Sequence, residues 1–416
     1  MRRSGSRVLV SITALGLGLR VLWWWYAQPD PVSDFEYTRR LAETVMTHHQ
    51  YGFPGSAGGR VPAYPLFLAA LMTISRSVAW LSLASVVLAS ALVPLMARFA
   101  ASLGLGRSAS LGVALVGAVN PGFVFFSPVL ATEHLFILLL VLALTIVVHP
   151  RVTTPLASNG RIAVGGFVFG IAALARVDAL FYLPVLALAV WWRTRRVVAV
   201  AVLVAALAAA LAPWFIRNRI VIGPGAGLST TGGPNFYYAH NDRAYGWHPL
   251  KGTPLEGLSQ LDMHRRGYEL GFEYLSRASL RQIAGDIWTG TTRLYGPAAS
   301  SYGLYWSTRQ AGPTPDDFQT KPLAGLSILQ WLADAYVLLL SGAILSLVFL
   351  HAWPLRAAAL SYGIVVLNWI AHCWIFWADP RFRLTAEVVF CVLTAFAAAQ
   401  IVARVRRRPA DRGAAS

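Results

Sequence analysis

The chain has 416 residues, 56% of them hydrophobic and 13% charged, with a mean hydropathy of +0.55. A soluble globular chain carries about 25% charged residues, so the composition excludes a soluble protein and requires a membrane one. The formal charge of +17 would point to nucleic acid in a soluble chain, but here Arg clusters in short loops between apolar runs, so nucleic acid is excluded and lipid is the expected surrounding.

The first apolar run, 8–27, follows Met1-Arg2-Arg3 and ends in Trp23-Trp24-Trp25-Tyr26. A signal peptide is the alternative. The run's length, the lack of a small-residue cleavage site and the aromatic end favour an uncleaved span. Further spans are expected near 77–97, 109–127, 134–149, 162–175, 179–192, 197–216, 326–350, 357–377 and 384–403. The predicted fold class is therefore an all-α polytopic membrane protein of about ten (9–12) transmembrane helices. The runs at 162–175 and 179–192 are short and could be broken or re-entrant. Cys373 and Cys391 lie inside apolar runs and suggest neither a disulfide framework nor a zinc site.

Charge orients the bundle. Arg2, Arg3, Arg7, Arg98, Arg107, Arg151, Arg161, Arg193, Arg195, Arg196, Arg356 and Arg404 all fall on one side of a ten-span arrangement. By the positive-inside rule that side is the cytoplasm, and both termini lie there. Every Asp and Glu except Asp411 then falls on or near the outer face. Two outer segments are long, about 28–76 and about 217–325. Residues 1–405 read as one membrane domain, and 406–416 as a disordered cytoplasmic tail.

In the first outer loop, Ser33 and Glu36 have the spacing of a capping box, which would put Asp34 at the first helical position, where the helix dipole favours negative charge. Tyr37, Leu41, Val45 and His48 share one face and predict an amphipathic helix lying on the membrane. A glycine-rich stretch follows, then Arg60-Val61-Pro62-Ala63-Tyr64-Pro65, which re-enters an apolar helix.

Ser33-Asp34 through Tyr37, with Arg60 through Leu68, resembles the first periplasmic loop of bacterial GT-C glycosyltransferases, a group that includes aminoarabinose-type lipid A transferases and protein O-mannosyltransferases. The resemblance continues in Asn120-Pro121 with Thr132-Glu133, in Gly170 to Arg176, and in Pro213-Trp214-Phe215-Ile216-Arg217-Asn218. It extends to Gly232-Gly233-Pro234-Asn235-Phe236-Tyr237 and Asp379-Pro380-Arg381-Phe382-Arg383. Val177 stands where the family usually has Pro, and the Glu-Lys-Pro-Pro motif of the aminoarabinose transferases is absent. The resemblance implies a GT-C-like bundle with exofacial helices and loops. It also implies a polyprenyl-phosphate-linked sugar as donor, and a glycan, lipid or protein as acceptor. Transfer would invert the anomeric centre, on the periplasmic side of a bacterial plasma membrane.

Such chemistry needs a carboxylate to take the acceptor's proton and cations to stabilise the departing phosphate. Asp34 is the expected base and Glu133 the second catalytic carboxylate. Arg60, Arg217 and Arg176 are the expected phosphate ligands, because a guanidinium binds phosphate bidentately and stays charged. Glu36, Tyr37, Tyr64, Asn218, Asn235, Tyr237, Arg381 and Arg383 are the expected substrate contacts. Blander roles compete: a cap for Glu36 or Glu133, an aromatic-belt anchor for Arg217, and mutual neutralisation for Arg176 with Asp178 and for Arg381 and Arg383 with Asp379 and Glu387. His240, Asp242 and His248 match no standard metal spacing; no cofactor is expected, with a divalent metal as the alternative. The competing functions are a transporter or lipid-linked-sugar flippase and a non-catalytic scaffold.

Overall fold

The computed structural model describes residues 3–53, 56–149, 155–243, 245–248, 250–312 and 318–413. These are mainly helical. The strands among them form two short antiparallel hairpins, Gly52–Phe53 with Ser56–Ala57 and Arg309–Ala311 with Phe318–Thr320.

Among the described residues, eight helical segments are long and apolar enough to cross a membrane: Gly5–Ala27, Val78–Ser102, Leu156–Ala175, Val177–Thr194, Val197–Val221, Leu326–Ala352, Leu355–Ile375 and Pro380–Arg406. At about 1.5 Å per residue, a helix such as Val78–Ser102 exceeds the roughly 30 Å hydrocarbon core. The other two expected spans are built differently. The run at 109–127 is broken: Arg107–Val119 ends at Asn120, whose side chain accepts the Phe123 amide at 3.3 Å and starts a new helix, Pro121–Phe126. Pro121 fits there because a first-turn residue needs no amide partner. The run at 134–149 is the shorter apolar helix Thr132–Val148.

The segment at 162–175 belongs to one continuous helix, Pro155–Ala175, whereas 179–192 begins as a 3-10 turn, Val177–Tyr182, before Leu183–Thr194. The last helix runs from Leu384 to Gly413, past the point where the tail was expected to leave it. Arg is a good helix former, and cations suit a helix C-terminus.

Small residues set the packing. A side chain at Gly166 would strike the Leu203 carbonyl, and one at Gly170 would strike Ala210, so the helices Pro155–Ala175 and Val197–Val221 approach closely through a small-xxx-small face. Arg20, fully buried in the first helix, donates to the Gly117 and Ala118 carbonyls at 3.0 Å each, satisfying the end of the helix interrupted at Asn120. That is the favourable end of the helix dipole for a cation.

One end of the bundle carries the non-spanning elements. The helix Ser33–His48 forms, but the face it buries is Phe35, Thr38, Leu41 and Ala42 rather than the expected Tyr37–His48 stripe, so it packs on the bundle. The capping box does not form. Ser33 takes φ 49° and becomes the first helical residue, Val32 is the cap, and Asp34 moves to the second position. The long second segment folds into short helices, including Gly232–Ala239, Gln260–Arg277 and Leu280–Tyr295. The first two cross at Gly233 and Gly267, where a side chain on either would strike the other backbone. This segment docks on the first loop through Thr230 N–H to Gly59 O, at 2.9 Å, and Gln260 to Ser56, at 2.7 Å.

Candidate functional site

Helix ends and their connecting turns converge beside Ser33–His48, and each brings a charge. Asp34 comes from the first turn of that helix and Arg60 from the loop after it. Glu133 opens Thr132–Val148. Arg176 and Asp178 lie at the turn after Ala175. His372 lies in a π-helical turn, Ile370–Ile375, and Asp379 and Arg381 in the 3-10 turn before the last helix.

These groups form a ladder. Asp34 Oδ1 accepts from Arg60 at 2.6 Å and Oδ2 from Arg381 at 2.9 Å. Glu133 Oε1 accepts from Arg176 at 2.6 Å and lies 3.6 Å from Arg381 Nε, while Oε2 accepts from Thr132 at 3.1 Å. Asp178 takes Arg176 on both oxygens, at 3.0–3.1 Å, with His372 Nε2 at 3.4 Å. The ladder deepens along its length: the Asp34 side chain is 43% exposed and Arg60 31%, but Glu133 only 4%. Removing one partner from its buried end would cost about 3–5 kcal/mol.

Aromatic rings wall the exposed end. The Arg60 guanidinium lies 4.2 Å from the Tyr37 ring centroid, and Arg381 stacks near Phe35, Trp306 and Phe382 at 5.1–5.5 Å. Burial alone would raise the Asp34 pKa, but the guanidiniums of Arg60 and Arg381 outweigh it and hold the carboxyl well below the usual range. Asp379 moves the other way: burial raises it, Glu133 and Asp34 add to the rise, and Arg381 opposes it without cancelling it.

The structure thus brings Asp34, Arg60, Tyr37, Glu133, Arg176 and Arg381 together. It places the other expected site residues elsewhere. Arg217 donates to the Tyr51, Gly58 and Asn218 oxygens at 2.7–3.1 Å and stacks on Trp214, so its guanidinium is committed to the loop rather than to the ladder. Tyr51 in turn donates to the Arg60 and Val61 carbonyls, so Arg217 braces the loop that carries Arg60. Asn218 is fully buried and ties the Gly227 and Leu228 carbonyls.

Glu36 is paired with Arg39 and Arg40 on its own helix. Tyr64 is fully buried against Ser85. Asn235 accepts from Trp377 at 3.2 Å, and Tyr237 packs on Tyr238 and His248. Arg383 turns away from Arg381 into the interior, against Glu387 at 2.7 Å and the Leu294 carbonyl. His240 packs on Phe236 and Tyr274, and Asp242 pairs with Arg277; among the described residues no three His, Cys, Asp or Glu gather as a metal site. In the sequence Asp178 and Asp379 stand out as counter-ions to neighbouring arginines, and His372 does not stand out at all. Asp379 lay inside a matched motif, whereas His372 in an apolar run gave no signal.

No protein-family model and no curated protein sequence matches the chain. Solved structures do. The oligosaccharyltransferase of Archaeoglobus fulgidus, tethered to an acceptor peptide containing the NVT sequon, superposes with a TM-score of 0.59 at 13% identity, over 98% of this chain and 51% of that one. The same enzyme with Zn and sulfate gives 0.58 at 14%, over 96% and 50%. Archaeal oligosaccharyltransferase AglB from Archaeoglobus fulgidus, with an inhibitory peptide and a dolichol-phosphate, gives 0.57 at 14%, over 99% and 52%. The chain spans about half the length of these neighbours and shares their fold.

Proposed function

We propose that the chain is a glycosyltransferase that moves a sugar from a polyprenyl-phosphate donor to an acceptor hydroxyl, with inversion, at the exposed end of the ladder. The observation that carries this reading is the pairing of Asp34 with Arg60 and Arg381 at the partly open end of a bundle of apolar helices. Arg60 spends one hydrogen bond on Asp34 and is otherwise turned to its aromatic neighbour and the opening. Its remaining donors suit a phosphate oxygen. The donor's lipid tail would lie along the apolar helices, while the phosphate is held where headgroups lie.

In this reading Arg60 binds the leaving phosphate and Arg381 and Arg176 keep the deeper carboxylates ionised and in place. A carboxylate of the cluster takes the acceptor proton, a role the family resemblance assigns to Asp34. The carboxylates Asp34, Glu133 and Asp178 do not fit a divalent cation, because they already share their oxygens with guanidiniums. The arginine distribution supports an outward-facing position for this end of the bundle, with both termini cytoplasmic, and the family resemblance implies that this side is the periplasm of a bacterial plasma membrane. A transporter or flippase would place its charges near the middle of the spans, whereas these lie at helix ends.

The test is transfer of labelled sugar from polyprenyl-phosphate sugars in membranes containing the protein. Movement of lipid-linked sugar across vesicles without transfer would favour the flippase reading and overturn this one.

A further inference from the structure

We propose that Asp379, rather than Asp34, is the carboxylate that receives the acceptor proton. The inference rests on the glycosyltransferase reading and assigns its base.

A base needs a free oxygen that faces the substrate. Both Asp34 oxygens carry guanidiniums, both Glu133 oxygens are engaged, and both Asp178 oxygens face Arg176. Asp379 differs. Its Oδ1 accepts the Arg381 amide at 3.0 Å and lies 3.6 Å from Arg381 Nε, and its Oδ2 takes no hydrogen bond from any described residue. The side chain is 13% exposed, enough for one oxygen to meet a hydroxyl.

The surrounding charges favour proton uptake there. Arg381 faces Asp379 from its own turn, Asp34 from the helix Ser33–His48 and Glu133 from Thr132–Val148. Arg60, Arg176, Asp178 and His372 complete the cluster, in which four carboxylates meet three guanidiniums and one imidazole. An arriving phosphate adds further negative charge, so the cluster gains by holding a proton at its least-compensated carboxyl. A carboxyl raised above its ordinary range by burial is a stronger Brønsted base than one held low by two guanidiniums.

The step balances. The acceptor oxygen forms its bond to the anomeric carbon as the bond from that carbon to the phosphate oxygen breaks. The bonding pair leaves with the polyprenyl phosphate, held by Arg60. The hydroxyl proton passes to Asp379 Oδ2 and is later released to water. Asp34 acts as the positioning residue that keeps Arg60 and Arg381 apart and aimed.

Asp379 also caps its 3-10 turn, and this makes the test clean, because Asn and Ser cap as well as Asp. The full chain is assayed with polyprenyl-phosphate sugar for kcat against pH, alongside labelled donor binding, in wild type, Asp379→Asn, Asp379→Ser and Asp34→Asn. The base must be ionised to work, so wild-type kcat rises with pH through the Asp379 pKa, above the ordinary aspartate range, and then levels. In Asp379→Asn, kcat falls about 100-fold or more and the acid limb disappears, while donor binding is retained. Asp34→Asn weakens donor binding and keeps the acid limb. Wild-type turnover in Asp379→Asn, or a slow Asp379→Asn and Asp379→Ser with the acid limb intact, overturns the assignment. A wild-type protein that binds donor but never transfers sugar overturns the glycosyltransferase reading instead.

Discussion

Arg381 and Arg383 lie two residues apart in one short turn and end in opposite surroundings. Arg381 joins the ladder that opens at Asp34 and Arg60. Arg383 is sealed, with its side chain 0% and that of Glu387 1% exposed, under the Tyr336 ring at 3.6 Å, with Asn120 donating to Glu387 at 3.3 Å. Both are arginine–carboxylate contacts, but only the first can meet a ligand. A sealed pair ties the last helix to the helix break at Asn120 and fixes where Arg381 points. The open ladder, whose Asp34 and Arg60 side chains are 43% and 31% exposed, is the part we propose as the site.

This comparison can be broken from either side. The largest effect is expected in the sealed pair: Glu387→Gln leaves Arg383 buried without its counter-charge and should cost about 3–5 kcal/mol of stability. Thermal unfolding in detergent checks this, and an unchanged midpoint would mean that the pair is not a brace. Next, Asp34→Asn should lose at least about 100-fold in kcat/KM with an unchanged unfolding midpoint, because it frees two guanidiniums without unpacking the bundle. Steady-state transfer assays and unfolding on the same preparation separate the two effects.

Arg60→Lys keeps the charge but loses the planar fork, and should raise donor KM about tenfold with little change in kcat. The smallest effect is expected at Arg217. Arg217→Met removes hydrogen bonds that order the Arg60 loop, each worth about 1 kcal/mol, so donor KM should rise about fivefold. An effect as large as that of Arg60→Lys would restore Arg217 as a direct phosphate ligand.

The comparison also shows what the residues alone could reveal. Hydropathy located eight of the ten expected spans because the bilayer demands long apolar runs; it did not show that Asn120 and Pro121 break one run or that Thr132–Val148 is a shorter helix. Asp34 and Arg60 were legible together because they flank one loop, 26 residues apart. Arg381 was named for the site, but its pairing with Asp34 spans 347 residues, and no local pattern encodes such a contact. The same limit explains Arg217, whose motif placed it at a span's outer end but could not tell a phosphate from the carbonyls of Tyr51 and Gly58. The capping box failed for a local reason: with Ser33 at positive φ the register shifts by one, and Arg39 and Arg40 capture Glu36. Gly232-Gly233 was legible only as part of a matched motif, whereas in the structure Gly233 is required where two helices cross too closely for any side chain.

The central claim is that the open ladder is where sugar changes hands. Its most direct test is product formation by membranes carrying equal amounts of native protein or of the Asp34→Asn form, supplied with a polyprenyl-phosphate sugar and followed by mass spectrometry. The account predicts a glycosylated acceptor and free polyprenyl phosphate from the native protein, and far less from the variant at donor levels below its raised KM. Equal product from both would contradict it.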